Sequence, residues 1–97
     1  MAVYVTLYRY TDEGMKHIKE AGRIARGWQQ EAEKAGIKLL ALHWLQGGYD
    51  AVTIIESDND DAVNSLILSI GAQGYLRTQT MRAMSLEDVE RAVKSVR

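Results

Sequence analysis

This chain of 97 amino acids contains no cysteine and only two histidines, and no cluster of its residues has recognisable catalytic, metal-binding or nucleotide-binding chemistry. Without cysteine there is no disulfide, no zinc–thiolate site and no thiol nucleophile. His43 could bind a substrate or transfer a proton near neutral pH, but no second acid, base or metal ligand can be placed beside it. A histidine satisfied by hydrogen bonds in an interface is the simpler interpretation. We therefore expect no metal and no cofactor, and whether the chain is an enzyme stays open.

The segment after Gly47 and Gly48 carries the next candidates. Asp50 could act as a base or bind a ligand, but a carboxylate here is more simply an acceptor for backbone N–H groups at the start of the first helix. Tyr49 would place its hydroxyl at the rim of a site, and Arg77, towards one end of the last predicted strand, could bind an anionic ligand. The glycines do not follow the strand, loop and helix order of a phosphate-binding loop.

Charge and composition exclude several classes of partner. The 12 basic and 13 acidic residues give a formal net charge of −1, so no overall field attracts nucleic acid or an anionic membrane. RNA bases could stack on Tyr4 and Tyr8, but the chain has no basic stripe to hold a phosphate backbone. It also lacks a basic, apolar leader and any run of about 18 apolar residues. We expect a cytoplasmic protein with neither a nucleic-acid nor a membrane partner.

Hydrophobic periodicity in the first half predicts a strand, a helix and a hairpin. Residues 3–10 alternate with the period of a strand. A threonine N-cap opens a helix over 11–34, with Gly36 in the position of a left-handed C-terminal cap. Residues 37–45 and 49–56 are rich in apolar and β-branched side chains, and the glycine turn between them predicts a hairpin.

The second half predicts another helix, a last strand and a short tail helix. Asp58 is the predicted N-cap of the second helix, and Gly71 and Gly74 end it. A strand is predicted over 75–84, and Ser85 opens an amphipathic tail. The order βαββαβ plus a C-terminal helix is the ferredoxin-like arrangement, in which two helices cover one face of a four-stranded antiparallel sheet. The whole chain, residues 1–97, is therefore a single α+β domain.

This topology brings three segments to one edge of the sheet. They are the end of the first strand with the start of the first helix, 8–11, the turn 46–50, and the segment 71–77. A ligand site is expected there because turn glycines, aromatic rings, an imidazole and a guanidinium converge.

Alternation along the strands also separates two faces of the sheet. The side expected under the helices comprises Val3, Val5, Leu7, Leu40, Leu42, Trp44, Val52 and Ile54. The opposite side comprises Tyr4, Thr6, Tyr8, Leu39, Ala41, His43, Ala51, Thr53 and Ile55. That second face is too apolar to be left in water. We therefore expect another copy of the chain to cover it, as a homodimer or a higher oligomer.

The sequence around the predicted turn resembles the GYD domain family of bacteria and archaea. The motif that gives the family its name consists of Gly48, Tyr49 and Asp50. The flanking segments 43–44 and 70–78 also match, and the resemblance spans essentially the whole chain. It implies a ferredoxin-like fold of the dimeric α/β-barrel type, in which subunits associate through their sheets. It brings no catalytic residue, and His43 stands where the family often has tyrosine.

Residues and resemblance together indicate a small homo-oligomeric module that binds a small molecule or serves in assembly. The ligand would lie between paired sheets, against Tyr4, Tyr8, His43, Tyr49 and Arg77. The alternative is an enzyme of the dimeric α/β-barrel type that acts on a small organic substrate between the subunit sheets, an assignment by fold analogy alone.

Overall fold

Four strands form the framework of the protein, and the computed structural model describes all residues, 1–97. Strand β1 (Ala2–Tyr10) is followed by the hairpin of β2 (Lys38–Trp44) and β3 (Ala51–Ser57), and β4 (Leu76–Ala83) comes last. They make one antiparallel sheet in the order β2-β3-β1-β4. Because β1 and β2 each pair antiparallel with β3, they run parallel to each other with β3 between them. This confirms the predicted ferredoxin-like topology.

Two helices, not one, connect β1 to β2. They are α1 (Asp12–Lys16) and α2 (Ala21–Lys34), separated by a 3-10 turn at Ile18–Glu20. A Cβ added to Gly14 would lie 2.0 Å from the carbonyl oxygen of Tyr75, so α1 is docked tightly on the segment before β4. The backbone leaves helical geometry at His17 (φ −106°, ψ 17°) and again at Glu20 (φ −100°, ψ 6°) before α2 begins, so the prediction of one continuous helix is wrong.

Helices α3 (Asp60–Ala72) and α4 (Leu86–Val93) follow β3 and β4. Asn59, rather than the predicted Asp58, caps α3 by accepting a first-turn N–H at 3.0 Å. The two residue types are equally good caps, so the sequence did not separate these neighbours. Ser85 opens α4 with a capping box, as predicted. None of the helices has both the length and the apolar content that crossing a bilayer requires.

The helices cover the face of the sheet opposite to the predicted one. The residues buried beneath them are Tyr4, Thr6, Tyr8, Ala51, Thr53 and Ile55. The face expected in the core is instead partly exposed, and we call it the open face; its β1 and β3 residues are Val3, Val5, Leu7, Val52 and Ile54. The cause lies in α2, which turns Ala21, Ala25 and Ala32 towards the sheet. Side chains this small leave a gap that tyrosine rings reach across and valines would not.

A β-bulge in β2 adds a second difference. The register against β3 shifts between Leu39 and Ala41, which leaves Leu40 as the extra residue. Leu39 therefore turns towards the helices together with Leu42 and Trp44, whereas Leu40 is 45% exposed. Strict alternation predicted the reverse for Leu39 and Leu40.

Candidate functional site

The three segments predicted to meet at one edge of the sheet do meet, through hydrogen bonds. Thr11 donates its N–H to the carbonyl of Tyr75 at 3.0 Å and its hydroxyl to the carbonyl of Gly74 at 2.5 Å. From the other side, the N–H of Asp50 donates to the carbonyl of Tyr8 at 2.8 Å. The turn, the start of α1 and the segment before β4 are thereby held as one unit.

Asp50 serves the backbone of this edge. Its carboxylate accepts the N–H of Tyr10 at 2.9 Å. The acceptor role is the predicted one, but the donor lies at the end of β1 and not at the start of the helix. There the hydroxyl of Thr11 accepts the N–H of Gly14 at 3.0 Å, so α1 already has its cap.

Tyr49 packs over one end of the open face. Its hydroxyl donates to Oε1 of Gln79 at 2.7 Å, and the guanidinium of Arg9 lies 4.5 Å from its ring centroid. Nε of Arg9 also donates to the carbonyl of Gly48 at 2.8 Å. The turn is therefore fastened to both β1 and β4, and these contacts give Tyr49 a packing role.

The five residues predicted to surround a ligand do not come together. Tyr4 and Tyr8 lie under the helices, each only 9% exposed. Strand register places His43 and Arg77 on the open face, where Tyr49 also packs. The prediction that Tyr4 and Tyr8 lie on the uncovered face of the sheet is therefore wrong. No single site between paired sheets can include all five residues. No three His, Cys, Asp or Glu side chains lie close enough together to hold a metal ion.

A cavity of about 100 Å³ lies instead between the sheet and helices α2 and α3. Of its 21 lining residues, 17 are hydrophobic. They include five of the seven aromatic residues of the chain, namely Tyr8, Tyr10, Trp28, Trp44 and Tyr75. Protein interiors are normally close-packed, and side chains that line an unfilled space lose packing contacts. The fold therefore keeps an internal space that its stability alone does not favour.

Two hydroxyl groups supply polarity inside this cavity. Oη of Tyr8 and Oγ1 of Thr53 are 2.9 Å apart and buried. Burial raises the pKa of Tyr8, and hydrogen bonds from Thr53 and Thr6 offset this only in part. The phenol is accordingly neutral and keeps its proton. Two hydroxyls joined by one hydrogen bond still have one hydrogen to donate and lone pairs to accept with.

Aromatic rings also stand at the mouth of the cavity. The rings of His17 and Tyr75 are stacked, with centroids 4.8 Å apart and planes inclined by 25°. These two residues, with Ile24 and Trp28, line both the cavity and a larger polar groove on the surface, of about 660 Å³. The cavity and the groove are therefore adjacent and share these side chains.

Sequence reasoning missed this cavity because it assigned Tyr8 and Thr53 to the wrong face. A signal was present in α2, where Ala21, Ala25 and Ala32 recur on one side. A helix that presents alanines to a sheet leaves space between the helix and the sheet. The tyrosines of β1 have side chains long enough to enter that space.

Similarity to known proteins agrees with this architecture. A family model described as GYD domain matches residues 4–93. A Thermus thermophilus protein named glutamine synthetase and cystathionine beta-lyase binding protein is 26% identical over 90 residues, 92% of this chain and 95% of that protein.

Two solved structures have a similar backbone. The protein FFRP-DM1 has a TM-score of 0.61 and 15% identity, over 87% of this chain and 100% of that chain. The second is the 5-chloro-2-hydroxyhydroquinone dehydrochlorinase TftG of Burkholderia phenoliruptrix AC1100, in complex with 2,5-dihydroxybenzoquinone. It has a TM-score of 0.62 and 12% identity, and the match covers 90% of this chain and 97% of that chain. At these identities the likeness shows a shared fold and nothing further.

Proposed function

Because this chain belongs to the GYD domain family and leaves one apolar face of its sheet uncovered, we propose that it is an assembly module whose copies associate through that face. The open face has partly exposed Val5, Leu7 and Ile54 at its centre. Met81, opposite Val5 on β4, is 39% exposed. A contiguous apolar patch of this kind marks an interaction surface, and it is the observation that supports the proposal.

Charged residues lie at both ends of the open face. Lys38 and Glu56 are cross-strand neighbours at one end, and Arg9 and Arg77 are neighbours at the other. An apolar centre with a polar rim is the usual anatomy of a protein interface. In a two-fold homodimer the same patch meets itself, so a second copy of the chain covers the apolar centre without any other partner.

Concentration-dependent sedimentation tests the proposal. The wild type should sediment as a dimer or larger at micromolar concentration. Val5→Lys places a charge at the centre of the open face and should weaken association at least tenfold, because the charge must be desolvated. Leu68→Lys is the matched control, since Leu68 is 73% exposed on α3. Circular dichroism shows whether each variant is folded, and a wild type that stays a monomer at every concentration would contradict the proposal.

An enzyme acting between the sheets is less well supported. Such a site would have to rely on His43, Tyr49 and Arg77, because Tyr4 and Tyr8 lie on the other face of the sheet. The hydroxyl of Tyr49 is already bonded to a side chain of β4. Arg77 donates to the carbonyls at the end of α3 and at the start of its own strand.

A second candidate function is binding to other proteins, as the name of the Thermus relative states for glutamine synthetase and cystathionine beta-lyase. Helix α4 favours it, because Leu86, Val89 and Val93 are all exposed and form an apolar stripe at helical spacing. Size-exclusion of the chain mixed with each purified Thermus enzyme is the test. Co-elution that is weakened by Leu86→Lys, but not by Leu68→Lys, supports this function. Separate elution from both enzymes argues against it.

A further inference from the structure

We infer that the cavity between the sheet and helices α2 and α3 is a binding site for a small single-ring aromatic molecule that carries a hydroxyl or carbonyl oxygen, the phenol class of ligand. The cavity lies on the opposite side of the sheet from the open face. Ligand binding and assembly can therefore be tested separately, and neither result decides the other.

Size limits the ligand first. The cavity measures about 100 Å³, whereas an engineered apolar cavity of about 150 Å³ takes up benzene. One six-membered ring is thus the largest rigid group that enters, and it requires a small outward movement of the wall. Fused rings, nucleotides and sugars with several substituents are too large.

The wall chemistry limits the ligand next. Trp28, Trp44, Tyr10 and Tyr75 present aromatic faces and edges, which pack favourably against another aromatic ring. No aspartate, glutamate, lysine or arginine lines the cavity. A charged ligand would lose its hydration without gaining an opposite charge, so the expected ligand is neutral.

The hydroxyl pair of Tyr8 and Thr53 selects among neutral rings. One of its two hydrogens remains available, and its oxygens can accept from a ligand hydroxyl. A phenol is already protonated at neutral pH, and burial raises the pKa of Tyr8 further, so this donor persists. A ring without an oxygen would form no hydrogen bond with the hydroxyl pair and should bind more weakly.

Entry is possible on the side of the surface groove. The stacked rings of His17 and Tyr75, together with Trp28, line both the cavity and the surface groove. Because these groups are side chains, they can move without a change in the backbone. Rotation of these rings would open the cavity without unfolding either helix, because exposed and half-exposed side chains change rotamer quickly.

Intrinsic fluorescence gives a direct readout, since Trp28 and Trp44 are the two tryptophans of the chain and both line the cavity. The probes are phenol and benzene, titrated into the wild-type protein. Phenol should bind about tenfold more tightly than benzene, the ratio expected from one good hydrogen bond. Thr53→Val alone leaves the hydroxyl of Tyr8 free to bond phenol, so the test is the double variant Tyr8→Phe, Thr53→Val. It removes both hydroxyls and should erase this ratio by weakening phenol alone.

A filling variant locates the site. Ala25→Leu adds three carbons to the cavity wall on α2 and should weaken both probes at least tenfold. Ala92→Leu makes the same change on the exposed surface of α4 and should leave both affinities unchanged. If Ala25→Leu does not fold, the site is located instead from the amide chemical-shift changes that phenol causes in the wild-type protein. Phenol should then shift the signals of Thr53 and Ile70, not those of Val5.

Three results would each overturn the inference. They are no saturable binding of either probe to the wild type, a phenol preference that is absent from the wild type or survives the loss of both hydroxyls, and binding that survives Ala25→Leu or shifts signals of the open face.

Discussion

The carboxylate of Asp50 accepts the backbone N–H of Tyr10 at 2.9 Å, just beyond Tyr8 and Ala51, the last pair of the β1–β3 ladder. The side chain thus continues the ladder by one hydrogen bond after the backbone of the turn has left it. A carboxylate acceptor makes this bond charge-assisted and stronger than a neutral one. The aspartate of the Gly-Tyr-Asp motif therefore has a structural role that needs no ligand.

Replacing this aspartate should destabilise the fold. Asp50→Ala leaves the N–H of Tyr10 without its partner and should lower the free energy of unfolding by about 1–3 kcal/mol. Asp50→Asn keeps an acceptor oxygen and should cost less. Urea unfolding measures both through the midpoint. Equal midpoints for wild type and Asp50→Ala would show that the bond contributes nothing to stability.

Two glycines should respond to alanine with opposite signs. Gly14→Ala drives a Cβ to 2.0 Å from the Tyr75 carbonyl oxygen, which is backbone and cannot rotate away, so a loss of about 1–3 kcal/mol is expected. At Gly27, in the middle of α2, nothing lies within 4 Å of an added Cβ. Gly27→Ala should stabilise by about 0.5–1 kcal/mol, because glycine is the poorer helix former. Thermal unfolding compares the two, and a Gly14→Ala variant as stable as the wild type would refute the close approach.

The two buried tyrosines of β1 should also differ. The hydroxyl of Tyr4 is buried with no hydrogen-bond partner. Tyr4→Phe removes this unsatisfied polar group and should raise the free energy of unfolding by about 1 kcal/mol. Tyr8 shares a hydrogen bond with Thr53, so Tyr8→Phe breaks a satisfied pair and should lower stability by a similar amount. Denaturant unfolding of both variants provides the comparison. A loss in Tyr4→Phe as large as that in Tyr8→Phe would mean that its hydroxyl has a partner after all.

Features that depend on neighbouring residues followed from the sequence. Gly36 has the left-handed φ of +77° that the end of a helix requires, and Ser85 caps the helix that it precedes. Strand order followed as well, because the sequence of elements leaves few right-handed, uncrossed connections. The edge where the Gly-Tyr-Asp turn meets α1 is a consequence of that order.

The covered face of the sheet could not be predicted in the same way. Alternation separates Val5 from Tyr4 but does not say which one the helices cover. Val5 is the more apolar choice, yet the decision depends on how much space the alanines of α2 leave, a long-range property of volume. The bulge at Leu40 is equally invisible to a period of two. Since the cavity exists only on the covered face, the candidate ligand site was missed together with it.

Tyr8 should make stability depend on pH in the alkaline range. Burial raises its pKa above the value of about 10 for an exposed phenol, so the folded state holds the proton more tightly than the unfolded state. The resulting stability is fully present below about pH 10 and is lost as pH rises from there through the folded-state pKa. Between about pH 9 and pH 11, wild type should therefore lose more stability than Tyr8→Phe, which has no proton to release. Urea midpoints of the two proteins at both pH values measure the difference. A parallel decline would show that Tyr8 ionises as readily in the folded protein as in the unfolded chain.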